Sequence, residues 1–268
     1  MCGVSGFFEI QPTKFLNKLQ EMSNSIRHRG PDQYGYYQSR SKKLYIAHQR
    51  LSVIDLTHAG QQPMTSSCGL FVIAFNGEIY NFEELRTELQ LGHTVIWRGH
   101  SDTEVLVECI AKWGIDKTLI KLNGMFALAV YDVKNNNLVL ARDRFGEKPL
   151  YIYSSTNSFA FSSELKPLEI FTPNLTINSS AVDAQLRYSY IPAPYSIYNE
   201  IFKMLPGYYL ELDLDKYKAF SFRDSKPYWQ VRDAFEIGIK NQSQFKSIDD
   251  AIVETENVLS KSVRQRMV

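Results

Sequence analysis

The chain has 268 residues, enough for one large domain or two small ones, and its 44% hydrophobic and 22% charged residues suit an ordinary globular protein. Thirty basic against 29 acidic residues leave a formal charge of +1, so no global field recruits nucleic acid or an anionic membrane. No apolar run approaches the roughly 20 residues of a membrane span, and Glu9 interrupts the apolar start, which argues against a signal peptide.

Met1-Cys2-Gly3 opens the chain. Removal of Met1 would leave a thiol and a free α-amine on Cys2. Such an amine titrates at roughly 7.7–8.0 and a thiol near 8.5, so the amine can take the thiol proton and no histidine is required. The alternative is a small cysteine buried for packing. Cys68 and Cys109 complete no CxxC pair or His/Cys cluster, so neither a disulfide framework nor a zinc site is expected, and a reducing, cytoplasmic setting fits.

Residues 4–8 read as a buried strand, and 12–27 as an amphipathic helix with Leu19, Met22 and Ile26 on one face. The loop Arg27-His28-Arg29-Gly30-Pro31-Asp32 is either an anion clamp or a solvated turn. Strands are expected at 34–38 and 44–49, the second ending beside Arg50. That arginine suits a carboxylate, whose two oxygens match its fork of donors; a structural salt bridge is the other reading.

The apolar run 70–75 is expected to be a strand that stops at Asn76-Gly77-Glu78. A side-chain amide followed by a glycine N–H makes a plausible oxyanion hole, and Asn-Gly is equally a common tight turn. Helices follow at 82–90 and 102–113. Ser101 and Glu104 have capping-box spacing, and Asp102 either complements the helix dipole or binds an ammonium group. Hairpins are expected over 126–142 and 151–161, and the charged stretch 142–149 between them reads as a structural ion-pair network. Short helices at 164–170 and 180–187, a Tyr/Pro-rich loop at 188–206 and a last strand pair at 208–212 and 218–222 complete this half. Residues 224–247 look polar and irregular, and 247–268 helical, with Ile252, Leu259 and Val263 on one face.

Taken together, these motifs resemble the glutaminase domain of class II glutamine amidotransferases, most closely that of glutamine-hydrolysing asparagine synthetase. The matching stretches are Met1–Gly6, Arg27–Asp32, His48–Asp55, Phe75–Asn81, Ser101–Glu104 and Asn123–Tyr151, in order over about residues 1–212. The resemblance implies an α+β fold, a four-layer αββα sandwich of two antiparallel sheets. It makes Cys2 the nucleophile, gives the glutamine α-carboxylate to Arg50 and its α-ammonium to Asp102, and forms the oxyanion hole from Asn76 and Gly77. Backbone around Leu51, Val53 and Glu78 would complete the glutamine pocket. Ammonia would amidate aspartate, or a sugar-acid carboxylate; a non-catalytic regulatory module is the remaining alternative.

A pyrophosphate-binding Ser-Gly-Gly-x-Asp-Ser loop, present in the synthetase half of that family, does not occur in the sequence. The expectation is therefore a glutaminase domain over 2–212, a linker over 213–246, and the start of a truncated synthetase domain over 247–268. No metal or cofactor is expected in this chain; ATP and Mg belong to the missing synthetase half. Glutamine and that half are the expected partners, with a homodimer left open.

Overall fold

The computed structural model describes residues 1–11, 16–91, 95–240, 245 and 247–267. The chain runs β1 (Gly3–Glu9), α1 (Leu16–Asn24), β2 (Gln33–Gln38), β3 (Leu44–Arg50), β4 (Met64–Thr65), β5 (Phe71–Ile79), α2 (Phe82–Gln90) and α3 (Asp102–Trp113). Then come α4 (Ile115–Lys121), β6 (Gly124–Asp132), β7 (Asn137–Arg142), β8 (Tyr151–Ser154), β9 (Ser158–Ser162), α5 (Lys166–Phe171), α6 (Ser179–Tyr188), β10 (Ile201–Lys203), β11 (Tyr208–Asp213) and β12 (Lys226–Pro227). These lie in a compact unit, Met1–Tyr228; a second unit, Trp229–Val268, holds α7 (Val231–Lys240) and α8 (Ile248–Arg264).

Two sheets form, in the orders β10-β8-β9-β1-β3-β2 and β12-β11-β7-β6-β5-β4, and all their pairings are antiparallel. Strand alternation sorts their side chains into layers. Val4, Phe8, Leu44 and Ile46 from one sheet meet Val72, Ala74, Ala127 and Leu140 from the other in a buried layer between them. The opposite residues of the first sheet, Phe7, Tyr45 and Ala47, pack on Leu19 and Met22 of α1 and Leu168 of α5. Ile73, Phe75 and Leu128 of the second sheet pack on Leu85, Leu106 and Leu119 of the other helices. This is the αββα sandwich expected from the resemblance. Among the described residues no helix is long and apolar enough to cross a membrane.

Several local expectations need correction. The strand at 70–75 does not stop at Asn76; β5 carries on to Ile79, paired with β6 as far as Gly124. Residues 218–222 form no strand. Tyr217 and Phe220 instead pack their rings on Phe159, so the aromatic pattern there is a plug against the sheet, and β11 pairs with β7 and β12. The supposedly irregular 224–247 contains the helix α7, while its residues 241–244 and 246 lie outside the described residues. Of the helix expected over 12–27, Leu16–Asn24 is helical, Arg27–Arg29 is a separate 3-10 turn, and 12–15 lie outside the described residues.

The charged stretch after β7 is not an ion-pair network. Arg142 donates to the carbonyls of Lys148 (2.7 Å), Met204 (2.7 Å) and Gly146 (2.6 Å). Asp143 accepts the N–H groups of Phe126, Phe145, Glu147 and Lys148 at 2.9–3.2 Å. Charge here organises backbone.

Candidate active site

The alternation that builds the layer between the sheets also assembles the polar residues at one of its ends. Since Val4 faces inward on β1, so does Cys2, which immediately precedes that strand. Leu44 and Ile46 face inward on β3, so His48 and Arg50 follow; Val72 and Ala74 on β5 bring Asn76 and Glu78. Register aligns the ends, with Gly3 opposite Gln49 and Val4 opposite His48. Cys2, Arg50, Leu51, Val53, Asn76, Gly77, Glu78 and Asp102 all line one cavity of about 150 Å3. That is an order of magnitude above the ~10–15 Å3 a single water needs.

Each wall has its own support. The Cys2 thiol donates to the Leu51 carbonyl (3.6 Å), and the Cys2 carbonyl accepts from Arg29 Nε (3.0 Å). Arg29 also pairs with Glu164 (2.9 Å), which His28 approaches at 3.0 Å. The anion held by this basic loop is thus the protein's own. Burial pushes the Cys2 thiol up, opposed by the positive amino terminus beside it. Met1 is present in the structure, its α-amine lowered by burial, with the charges of Arg29 and Lys148 adding to the effect.

Arg50 is buried, and part of its fork is already taken. It donates to Gln33 Oε1 (2.7 Å), the Thr57 carbonyl (2.8 Å) and the Asp55 carbonyl. Gly60 lies against the guanidinium, which a Cβ at that position would strike. Asp102 opens α3 behind the Ser101 cap, whose hydroxyl accepts from Glu104 N–H (3.2 Å). The capping box is only half made: Glu104 accepts from the N–H groups of Arg98 and Gly99 instead of returning to Ser101. Asp102 accepts from Ile79 N–H (3.0 Å), and burial pushes its carboxyl up to about 6. A cation in the cavity would relieve that cost.

β4 begins only at Met64, opposite Ile73 of the antiparallel β5, so β5 beyond Ile73 is a sheet edge on one side. Two of its outward N–H groups are taken by side chains, Phe75 by Gln62 Oε1 (2.7 Å) and Ile79 by Asp102. The two-residue period puts the Gly77 N–H between them on the same side. A Cβ at Gly77 would collide with the Met125 carbonyl and, at 2.7 Å, with the Phe126 Cα, so β6 can approach this closely only because the residue is glycine. Asn76 is fully buried, and neither its Nδ2 nor its Oδ1 has a hydrogen-bond partner. A buried amide without partners costs about 1–3 kcal/mol. It is a donor awaiting an acceptor.

Lys148, Gln62, Asp55 and Thr103 also line the cavity and were not singled out from sequence. Lys148 is buried, which lowers its pKa, and its Nζ lies 3.0 Å from Met1 Sδ. Its neighbours in sequence suggested only a salt-bridge network, and Gln62 lies in a stretch with no motif. Among the described residues no cluster of His, Cys, Asp or Glu could hold a metal.

A sequence profile described as a glutamine amidotransferase domain matches residues 1–229. Bacillus subtilis asparagine synthetase [glutamine-hydrolyzing] 1 is 31% identical over 270 residues, covering 98% of this chain and 40% of its own length. Escherichia coli asparagine synthetase B [glutamine-hydrolyzing] is 38% identical over 171 residues, covering 63% of this chain and 30% of its own. The chain thus spans half or less of the length of the curated relatives it matches. In fold it is similar to glutamine phosphoribosylpyrophosphate amidotransferase from B. subtilis, with a TM-score of 0.62 at 17% identity over 85% of this chain and 50% of that one. With most of its length inside the profile, the chain belongs to the glutamine amidotransferase domain family.

Proposed function

We propose that this chain hydrolyses the side-chain amide of glutamine to glutamate and ammonia. The observation that carries the reading is the buried, partnerless Asn76 amide facing the cavity that Cys2 and Asp102 share. After Met1 is removed, the Cys2 amine takes the thiol proton and Sγ attacks the glutamine amide carbon. The developing oxyanion is held by Asn76 Nδ2 and the Gly77 N–H. Collapse breaks the C–N bond, the amine's proton goes to the leaving nitrogen, and ammonia departs. Water then cleaves the thioester, returning the thiol. Asp102 takes the substrate α-ammonium and the remaining donors of Arg50 its α-carboxylate, with Leu51, Val53 and Glu78 framing the pocket.

The names of the relatives support an asparagine-synthetase role, in which the ammonia passes to an ATP- and Mg-dependent half that amidates aspartate. No cofactor is assigned to the glutaminase half. A cytoplasmic setting accords with a thiol nucleophile that must stay reduced.

The test is glutamate release by the protein with Met1 removed, checked by intact mass, beside Cys2→Ala and a form retaining Met1. Activity is expected only in the first. A Cys2→Ala protein retaining a tenth of the rate would overturn the reading.

A further inference from the structure

The oxyanion strand is gripped immediately before its functional residues, and by side chains to which the hydrolysis gives no role. Phe75 donates its N–H to Gln62 Oε1 (2.7 Å), and its carbonyl lies 3.0 Å from His48 Nε2. That carbonyl belongs to the same peptide as the Asn76 N–H, so holding it orients the Asn76 Cα directly. An acceptor carbonyl requires Nε2 to carry the hydrogen, which leaves Nδ1 unprotonated; Nδ1 is buried without a partner. Burial, with the charge of Arg50, holds the ring near 4, so it is neutral at ordinary pH and keeps this tautomer.

Both grips reach across to the walls that receive the substrate's α-groups. His48 stands two residues before Arg50 on β3, in the opposite sheet. Gln62 donates through Nε2 to Thr103 Oγ1 (3.1 Å), next to Asp102 in the first turn of α3. The edge of β5 past β4 has no strand neighbour to hold it. These two bonds replace one.

We propose that His48 and Gln62 are positioning residues that fix Phe75 from both of its polar groups and thereby aim the Asn76 amide and the Gly77 N–H at the developing oxyanion. The inference rests on the glutaminase reading above. His48 acts through the Phe75 carbonyl, and both polar atoms of the Gln62 side chain are already engaged by Phe75 and Thr103, so the loss of either residue should lower kcat more than it raises KM.

The experiment uses the full chain with Met1 removed and compares wild type with His48→Leu, His48→Gln and Gln62→Leu. Three quantities are read: kcat and KM for glutamine, affinity for glutamate γ-semialdehyde, and the rate of Cys2 alkylation by iodoacetamide. The aldehyde adduct with the Cys2 thiol places an oxygen in the oxyanion hole, whereas alkylation does not use the hole. His48→Leu and Gln62→Leu should lower kcat about 10–100-fold, as expected for displaced oxyanion donors. Aldehyde affinity should fall in parallel, with KM and alkylation within about threefold of wild type. His48→Gln, which retains a donor, should recover part of kcat. If His48→Leu fails to fold, Gln62→Leu tests the same strand from its other side. Variants with kcat within twofold of wild type, or with alkylation falling as far as kcat, overturn the proposal while leaving the glutaminase reading intact. A wild type that releases no glutamate overturns the reading and the proposal with it.

Discussion

The corner after β7 and the open end of the layer between the sheets both bury strongly polar side chains, yet Arg142 and Asp143 at the first are completed, while Asn76 and His48 at the second are not. At the corner, three donors of Arg142 meet three carbonyls, and both oxygens of Asp143 accept two N–H groups each. At the open end, both heteroatoms of Asn76 and the Nδ1 of His48 are buried without partners. The corner is denser in charge, and of its residues Lys148 alone lines the cavity. What marks a site is incompleteness facing a cavity, because an unpaired buried group is costly and persists where a ligand finishes it.

The sharpest break of this contrast is Asn76→Leu, similar in size and without polar atoms. It should lower kcat for glutamine about 10²–10³-fold, the typical loss for one oxyanion donor. Stability should hold or rise, since a partnerless amide is replaced by an apolar group. Steady-state kinetics and urea unfolding on the same preparation decide it; a clear loss of stability would show that Asn76 has structural partners after all.

Arg142→Met should do the reverse. Stranding three buried carbonyls should cost about 3 kcal/mol of stability, while the folded fraction keeps kcat within severalfold of wild type. A catalytic defect much larger than the unfolded fraction explains would give Arg142 a part in the active site.

The gentlest probe is pH. Asp102 carries a carboxyl raised to about 6, so the empty site takes up a proton as pH falls through that value. Only the carboxylate form attracts an ammonium. Glutamine affinity, measured by calorimetry on Cys2→Ala, should fall below pH 6 by up to about tenfold per unit, with Asp102→Asn weak and flat. A flat profile in the Cys2→Ala background would remove Asp102 from ammonium recognition.

Much of the site was legible because its residues sit in short contiguous motifs. Cys2 beside Met1 and Asn76-Gly77 at the end of an apolar run can be read from chemistry alone. Asn76-Gly77 nevertheless reads locally as the end of its strand, since the pairing that extends β5 comes from residues 124–127, far along the chain. His48 and Gln62 were illegible for the same reason: their bonds to Phe75 span 27 and 13 residues. No local pattern encodes them. The helix α7 escaped because its apolar residues, Val231, Phe235 and Ile239, lie within a mostly polar stretch and remain exposed.

The start of β4 at Met64, opposite Ile73, has a further consequence for Gly77. Amide hydrogens inside a sheet exchange with solvent only when the sheet opens, and those of Phe75 and Ile79 are locked by Gln62 and Asp102. The Gly77 amide between them faces cavity water with no opening required. In deuterated solvent its resonance should vanish at the pace of a surface loop while its two neighbours persist. An occupant in the oxyanion hole should slow that decay, so one backbone hydrogen would report whether the site is filled.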